Sequence, residues 1–438
     1  MAGSTGSMAL AQTLVVRFLA LGLNLLTGIV SARYLGPVGR AEQAAIVLGA
    51  SFFPYVIAFG VPIAVQYKIR TDPKRAPDYT SAGIGLSLVF GMLAFGIGIL
   101  VLPRMLVKYP PEIVQIAQIA MVTAPITMLY ALLCAILQAR GQFRAPNVTR
   151  YVMPAITLVS LLGLIVVHRL NPITSSIAYL MTGFFAVPWL WAKVRPTIRV
   201  QSPRKAAKDL LSYGSRSYVS DILGTLAAQV DQILVIGLLS PTSMGLYAVA
   251  LGAARAVDLY SGSVVAVLFP RAASLDTAQI VALTGRAARI TGAMLLGTGS
   301  LLALLMPLLL PLFFGKAFVA SIPVAQIVLV SFAVNAIVYV LAQAYMAVGK
   351  PGVNAIIQLI GLATTVPAML FLIPRYGIVG AALALVASTM VRLLSSLACF
   401  PIILKVDAPA LLVNAGDVRY VRRAMTFHAQ APSEREQS

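Results

Sequence analysis

An all-α integral membrane protein, with twelve transmembrane helices in two homologous six-helix bundles, is the fold class this sequence predicts. Three observations predict it. Of 438 residues, 59% are hydrophobic, and only 33 basic and 13 acidic side chains accompany them, too little polar surface to cover a soluble globule of this length. The apolar residues fall into stretches of about 20 or more, the length a helix needs to cross roughly 30 Å of hydrocarbon. The basic residues collect in alternate gaps between those stretches.

The spans are expected at 9–33, 43–67, 80–103, 113–139, 151–168, 173–192, 210–239, 244–270, 287–313, 322–347, 353–373 and 377–403. Backbone groups in lipid must pair within their own segment, so each stretch reads as an α-helix. The alternation of barrel strands is absent. Residues 1–8, ahead of the first span, lack a charged n-region. The stretch behind them is long for a cleavable signal, so it reads as a retained span. Pro54 and Pro62 fall in the second span, Pro125 in the fourth, Pro307 and Pro311 in the ninth and Pro367 in the eleventh. Bundles tolerate such prolines, and static kinks are expected there, with a moving hinge as the alternative.

Orientation follows from lysine and arginine. Counting Arg33, Arg216 and Arg289, near span ends, with the adjacent gaps, the gaps after even-numbered spans and the C-terminal tail hold 23 of them and the gaps after odd-numbered spans hold 7. The positive-inside rule then places both termini in the cytoplasm of a multi-pass protein of the plasma (inner) membrane. The net charge of +20 is thus chiefly a topology signal. Nucleic acid is excluded as a partner, because no basic patch with interleaved aromatics sits on a soluble domain.

The two halves echo each other. Leu35-Gly36-Pro37 follows the first span and Leu239-Ser240-Pro241 the seventh, 204 residues later. Gln43-Ala44-Ala45 answers Tyr247-Ala248-Val249, Gly141 with Asn147 answers Gly349 with Asn354, and Pro172-Ile173-Thr174-Ser175 answers Gly377-Ile378-Val379-Gly380. Repeated offsets at matching places in the helix order predict a duplication. Each half has an even number of spans, so the repeat is parallel, about an axis along the membrane normal. Lobes at 1–194 and 209–403, a basic cytoplasmic linker at 195–208 with Pro196 and Pro203, and a polar cytoplasmic tail at 404–438 follow. Substrate is expected between the lobes near mid-membrane.

Ser31-Ala32-Arg33-Tyr34-Leu35-Gly36-Pro37-Val38-Gly39-Arg40, the stretch Val230 to Pro241, Met244-Gly245-Leu246-Tyr247-Ala248 and Tyr376-Gly377-Ile378-Val379-Gly380-Ala381-Ala382 together resemble the polysaccharide flippases. These belong to the multidrug/oligosaccharidyl-lipid/polysaccharide exporter superfamily, and the resemblance covers about residues 9–403. It implies two lobes forming a V that opens alternately to either membrane face. It also implies a polyprenyl-pyrophosphate-linked oligosaccharide, carried from the cytoplasmic to the outer leaflet for surface polysaccharide synthesis. Partners implied are that lipid-linked glycan, membrane lipids, and polysaccharide polymerase and glycosyltransferase machinery, around a monomeric transporter. Arg40-Ala41-Glu42-Gln43 departs from the commoner reading after the proline, which leaves the subfamily open.

Charges inside spans are expensive and normally face a water-filled cavity or a partner. Arg17 lies in span 1 with Asn24 and Ser31 on its face, seven residues apart in turn; it either lines the cavity or snorkels to the headgroups. Arg255 and Asp258 sit at i and i+3 in span 8, as an ion pair or as a pyrophosphate site, for which the arginine fork is suited. Arg392 in span 12 either joins that site or pairs with an aspartate across the bundle. Asp221, Asp231 and Asp258 are candidates for salt bridges or for H+ or Na+ coupling. Asn335, Tyr339 and Gln343, four residues apart on span 10, suit sugar hydroxyls or bonds between helices.

Two histidines far apart, and two single cysteines in apolar spans, offer no metal-ligand cluster. Phosphate-binding loops, nucleophile elbows and zinc-protease helices are absent too, so no catalytic residue or cofactor is expected and the chain is not read as an enzyme. A flippase working through a cationic inter-lobe cavity is the leading reading. An ion-coupled multidrug or small-solute antiporter of the same superfamily is the alternative; a membrane-embedded glycosyltransferase or polymerase would need a large outer loop, and the odd-numbered gaps are short.

Overall fold

The computed structural model describes residues 2–195, 203–255, 276–412 and 416–417; within these, the side chains of residues 2–15, 17, 203, 216, 217, 219–221 and 228 are not described. Among the described residues the chain is helical, without a strand. Among the described residues eight helices are long and apolar enough to cross a membrane, and the chain is a multi-pass membrane protein. The eighth expected span is described only to Arg255, so part of it lies outside the described residues.

Helix α1 (Ala2–Ile57) runs through both of the first two expected spans and is broken inside only at Gly36, with φ 68° and ψ −179°. Such a conformation suits a residue without Cβ. The following Pro37 has its φ preset and lacks an N–H that would go unpaired, so the helix restarts at once. The second expected span is broken again where Phe59 and Gly60 take positive φ, and the chain resumes as α2 (Val61–Thr71). α3 (Ala76–Met105), α4 (Pro111–Ala120), α5 (Ala124–Ala139), α6 (Arg144–Val166), α7 (Pro172–Leu180) and α8 (Thr182–Val194) complete the first group. A capping box between Asn171 and Thr174 starts α7, satisfying two helix-end donors at once.

The second group comprises α9 (Pro203–Leu238), α10 (Pro241–Ala254), α11 (Thr277–Phe314), α12 (Ile322–Ala347) and α13 (Gly352–Cys399). α13 contains the last two expected spans, divided at Gly377 with φ 56°. Helices of each group pack chiefly on one another, and the groups meet along α1 with α10 and along α2 and α3 with α9.

Local geometry repeats along with the sequence. Gly141 and Gly349 both take positive φ, 75° and 77°. Gly141 N–H donates to Gln138 O and Gln142 N–H to Leu137 O; Gly349 N–H donates to Met346 O and Lys350 N–H to Tyr345 O. Both helices thus end in the same left-handed cap, which pairs carbonyls the helix leaves free. Gln43 and Tyr247, 204 residues apart, are both fully buried and both reach back to the preceding helical segment, at Ser31 Oγ (3.4 Å) and Asp231 Oδ2 (2.9 Å).

The two groups touch at both ends. At the end carrying Lys68, Arg70, Lys74 and Arg75, Arg75 Nη1 donates to Asp209 Oδ2 at 3.0 Å. Tyr67 stacks on Tyr213 with centroids 4.3 Å apart, and Gly60 lies against the backbone of Gly214. At the other end, Arg33 Nη1 donates to Leu312 O at 2.8 Å, and Lys108 Nζ donates to Leu238 O. There α10 comes so close to α1 that a Cβ on Gly245 would lie 1.9 Å from Pro37 O.

Candidate functional site

Between these contacts lie two cavities. The first, about 530 Å³, runs between the groups and is bordered by Asn24, Arg40, Gln43, Ser51, Tyr179, Gln232 and Arg255 among its polar residues. The second, about 480 Å³, lies within the second group and is bordered by Asp231, Asn335, Tyr339, Asn354, Gln358 and Arg392. Arg255 and Leu251 border both. Volumes of this size match small-ligand sites, commonly about 300–1,000 Å³.

Helix geometry sets the depth of each cation. Arg255 is 14 residues past Pro241 and Arg392 is 15 past Gly377, so at 1.5 Å per residue they lie roughly 21 and 22 Å along their segments. Arg40 is three residues past Pro37, within the first turn of its own. The three arginines therefore stand at two levels of the bundle.

None of the three makes an ion pair among the described residues. Arg40 donates through Nη1 to Gln43 Oε1 at 2.6 Å, and its Nε is buried without a partner. Arg392 donates to Thr389 Oγ1 at 3.0 Å and to Gln358 Oε1 at 3.4 Å, and its Nε is also buried and unpartnered. Gly361 makes room for this side chain: a Cβ there would come within 2.3 Å of Arg392 Cδ. Pairing of Arg392 with an aspartate, one of the two expectations, does not occur among the described residues. The one acid on the described linings, Asp231, is 5% exposed and accepts from Tyr247 Oη. Asp231 is near enough to Arg255 to act on it electrostatically without pairing with it, and an ionisable group at bilayer depth is by default a candidate functional group.

Of the other expected site residues, Asn24 borders the first cavity and Asn335 and Tyr339 the second. Gln343 borders neither: it is buried, and its Nε2 donates to Tyr339 O of its own helix at 3.1 Å, which is neither of the two expectations for it. Ser31, on the face of Arg17 and Asn24, is fully buried and within 3.3 Å of Tyr179 Oη. The side chains of Arg17 and Asp221, and all of Asp258, lie outside the described residues.

Arg40, Gln43, Asn354 and Gln358 were not expected in the lining. Arg40 reads as a loop cation if span 2 begins at residue 43, but the helix restarts at Pro37. The rule that proline favours the first helical position was the signal available for it. No comparable signal marks Asn354 or Gln358, whose inward facing depends on the crossing of α12 and α13.

A family model described as "Polysaccharide biosynthesis protein" matches residues 10–276. The chain belongs to that family. No curated protein sequence matches it. Among solved structures it is similar to the lipid II flippase MurJ in an inward closed conformation, with a TM-score of 0.78 at 14% identity, covering 95% of this chain and 92% of that one. An inward-facing multidrug resistance MATE family transporter of the MOP superfamily gives a TM-score of 0.73 at 14% identity, over 91% and 96% of the two chains. A MOP superfamily transporter from Pyrococcus furiosus, for which reverse polarity of the binding pocket is said to suggest a different function, gives 0.60 at 14% identity, over 90% and 94%. The fold of this family member is thus the one shared with those solved structures.

Proposed function

We propose that this polysaccharide biosynthesis family member is a flippase that moves a polyprenyl-pyrophosphate-linked oligosaccharide from the cytoplasmic to the outer leaflet of the plasma membrane. The observation that carries the reading is the lining of the first cavity: Arg40 and Arg255 border it without ion pairs among the described residues, and no acid stands on that lining among them. Such a lining attracts an anion, and arginine's planar fork suits phosphate. In this reading both termini are cytoplasmic, the end bearing Arg75 and Asp209 is the inner one, and twelve spans form lobes at 1–194 and 209–403 joined by the linker at 195–208. The diphosphate enters at Arg255, the prenyl tail stays in lipid between the lobes, and rocking of the lobes passes the head toward Arg40 near the outer end. The transporter acts as a monomer, supplied by glycosyltransferases and feeding a polymerase.

The tyrosine-bound, buried Asp231 favours one addition, coupling to H+ or Na+. It is also what an ion-coupled multidrug or small-solute antiporter, the alternative, would require. Deleting the gene separates the two. The flippase reading expects lipid-linked glycan to accumulate on the cytoplasmic leaflet and surface polysaccharide to fall. Unchanged surface polysaccharide with increased drug sensitivity contradicts it.

A further inference from the structure

The second cavity holds a cation that a diphosphate at Arg255 leaves unused. Resting on the flippase reading, we infer that Arg392 forms a separate subsite for the carboxylate of an acidic sugar in the transported glycan. The substrate class is thereby narrowed to lipid-linked oligosaccharides that contain a uronic acid or a comparable carboxylate-bearing sugar.

Three features of the site support this. Arg392 is held in place rather than free: its stem lies on Gly361, and its two terminal nitrogens are bound by Thr389 and Gln358. Its Nε is buried against Gly361 without a partner, and the single bonds from Nη1 and Nη2 leave each of them a further N–H, for which a carboxylate oxygen is the strongest acceptor. Apart from Arg255 and the tyrosine-bound Asp231, the polar residues of the cavity are neutral, namely Asn335, Asn354, Gln358 and Tyr339, which is unlike a second phosphate site. Those groups suit ring hydroxyls, and only a molecule carrying hydroxyls and an anion on one ring uses both features. Arg255 borders both cavities, so one substrate can place its diphosphate there and extend its glycan toward Arg392.

Binding of three synthetic probes to the purified full-length protein in nanodiscs tests the assignment: a prenyl pyrophosphate, the same lipid carrying a glucose-terminated disaccharide, and the same lipid ending in glucuronic acid. The wild type is expected to bind the glucuronate probe at least about tenfold more tightly than the glucose probe, as a charge-assisted hydrogen bond implies. Arg392→Gln removes that preference, Arg392→Lys keeps part of it, and both bind the bare prenyl pyrophosphate within about twofold of wild type. Equal binding of the two glycan probes by wild type, or an undiminished preference in Arg392→Gln, overturns the subsite. So does loss of prenyl pyrophosphate binding in Arg392→Gln that still melts as wild type; if this variant does not fold, Arg392→Lys and the wild-type preference decide. Failure of wild type to bind any of the three counts against the flippase reading itself.

Discussion

Arg255 is the residue on which most depends, since it borders both cavities and makes no ion pair among the described residues. Arg255→Ala is expected to abolish complementation of a deletion strain at normal expression, and Arg255→Lys to restore it only partly, because an ammonium keeps the charge but loses the planar fork. Full complementation by the alanine variant would remove phosphate engagement from this position. At this scale the sequence was legible wherever charge stood alone in apolar surroundings. Arg255, Arg392 and Asp231 could be singled out because burying a charge is costly enough to stand out against a hydrophobic background. Asn354 and Gln358 could not: a neutral amide in a span is ordinary, and which way it faces is decided by packing against another helix.

Among the elements, glycines fix where helices break and how closely they approach. Gly36 and Gly377 divide what are otherwise continuous helices, and Gly245 lets α10 meet the carbonyl of Pro37. Gly245→Ala is expected to push α10 away from α1 and destabilise the fold by about 1–3 kcal/mol, the usual cost of overpacking. A lowered melting temperature of the purified variant checks this, and an unchanged one would mean that the helices have slack there. The expected spans located most helices because about 20 apolar residues are needed for a crossing and the need is visible in composition. Their ends were less legible. Pro37 and Gly60 carry the information about where α1 restarts and where the second span breaks, but a hydropathy pattern averages over single residues. The helix Pro203–Leu238 is less apolar than its neighbours, and its place rests on packing against α2, α3 and α13.

In the molecule as a whole, two groups of helices touch at both ends, with one cavity between them and a second within the second group. The contact of Arg75 with Asp209, beside the stacked Tyr67 and Tyr213, joins them at the basic end. Because that pair is partly exposed, it is weakened by salt. Its loss is expected to favour opening at that end: in Asp209→Ala, a cysteine placed at Ser51 on the first cavity, in a background freed of Cys134 and Cys399, reacts faster with a water-soluble maleimide applied from the side of the basic end. The swap Arg75→Asp with Asp209→Arg returns the rate toward wild type. A rate unmoved by either change would mean that the aromatic and glycine contacts hold that end alone. The short motifs that suggest a duplication recur at closely similar offsets, and at one pair of them Gly141 and Gly349 end their helices in the same cap. How the halves lean on one another was not legible, because it depends on side-chain shape along α1, α9 and α10 rather than on any motif.

Reconstitution gives the most direct test of the central claim. The purified protein is placed in proteoliposomes with a fluorescent prenyl-pyrophosphate-linked oligosaccharide, and the fraction of label reached by a membrane-impermeant quencher is followed over time. A flippase speeds exchange of this lipid between leaflets, Arg255→Ala is expected to abolish the effect, and a neutral prenyl alcohol glycoside is not expected to be moved. Exchange no faster than in protein-free liposomes, together with ion-driven transport of a cationic drug by the same preparation, would contradict the claim.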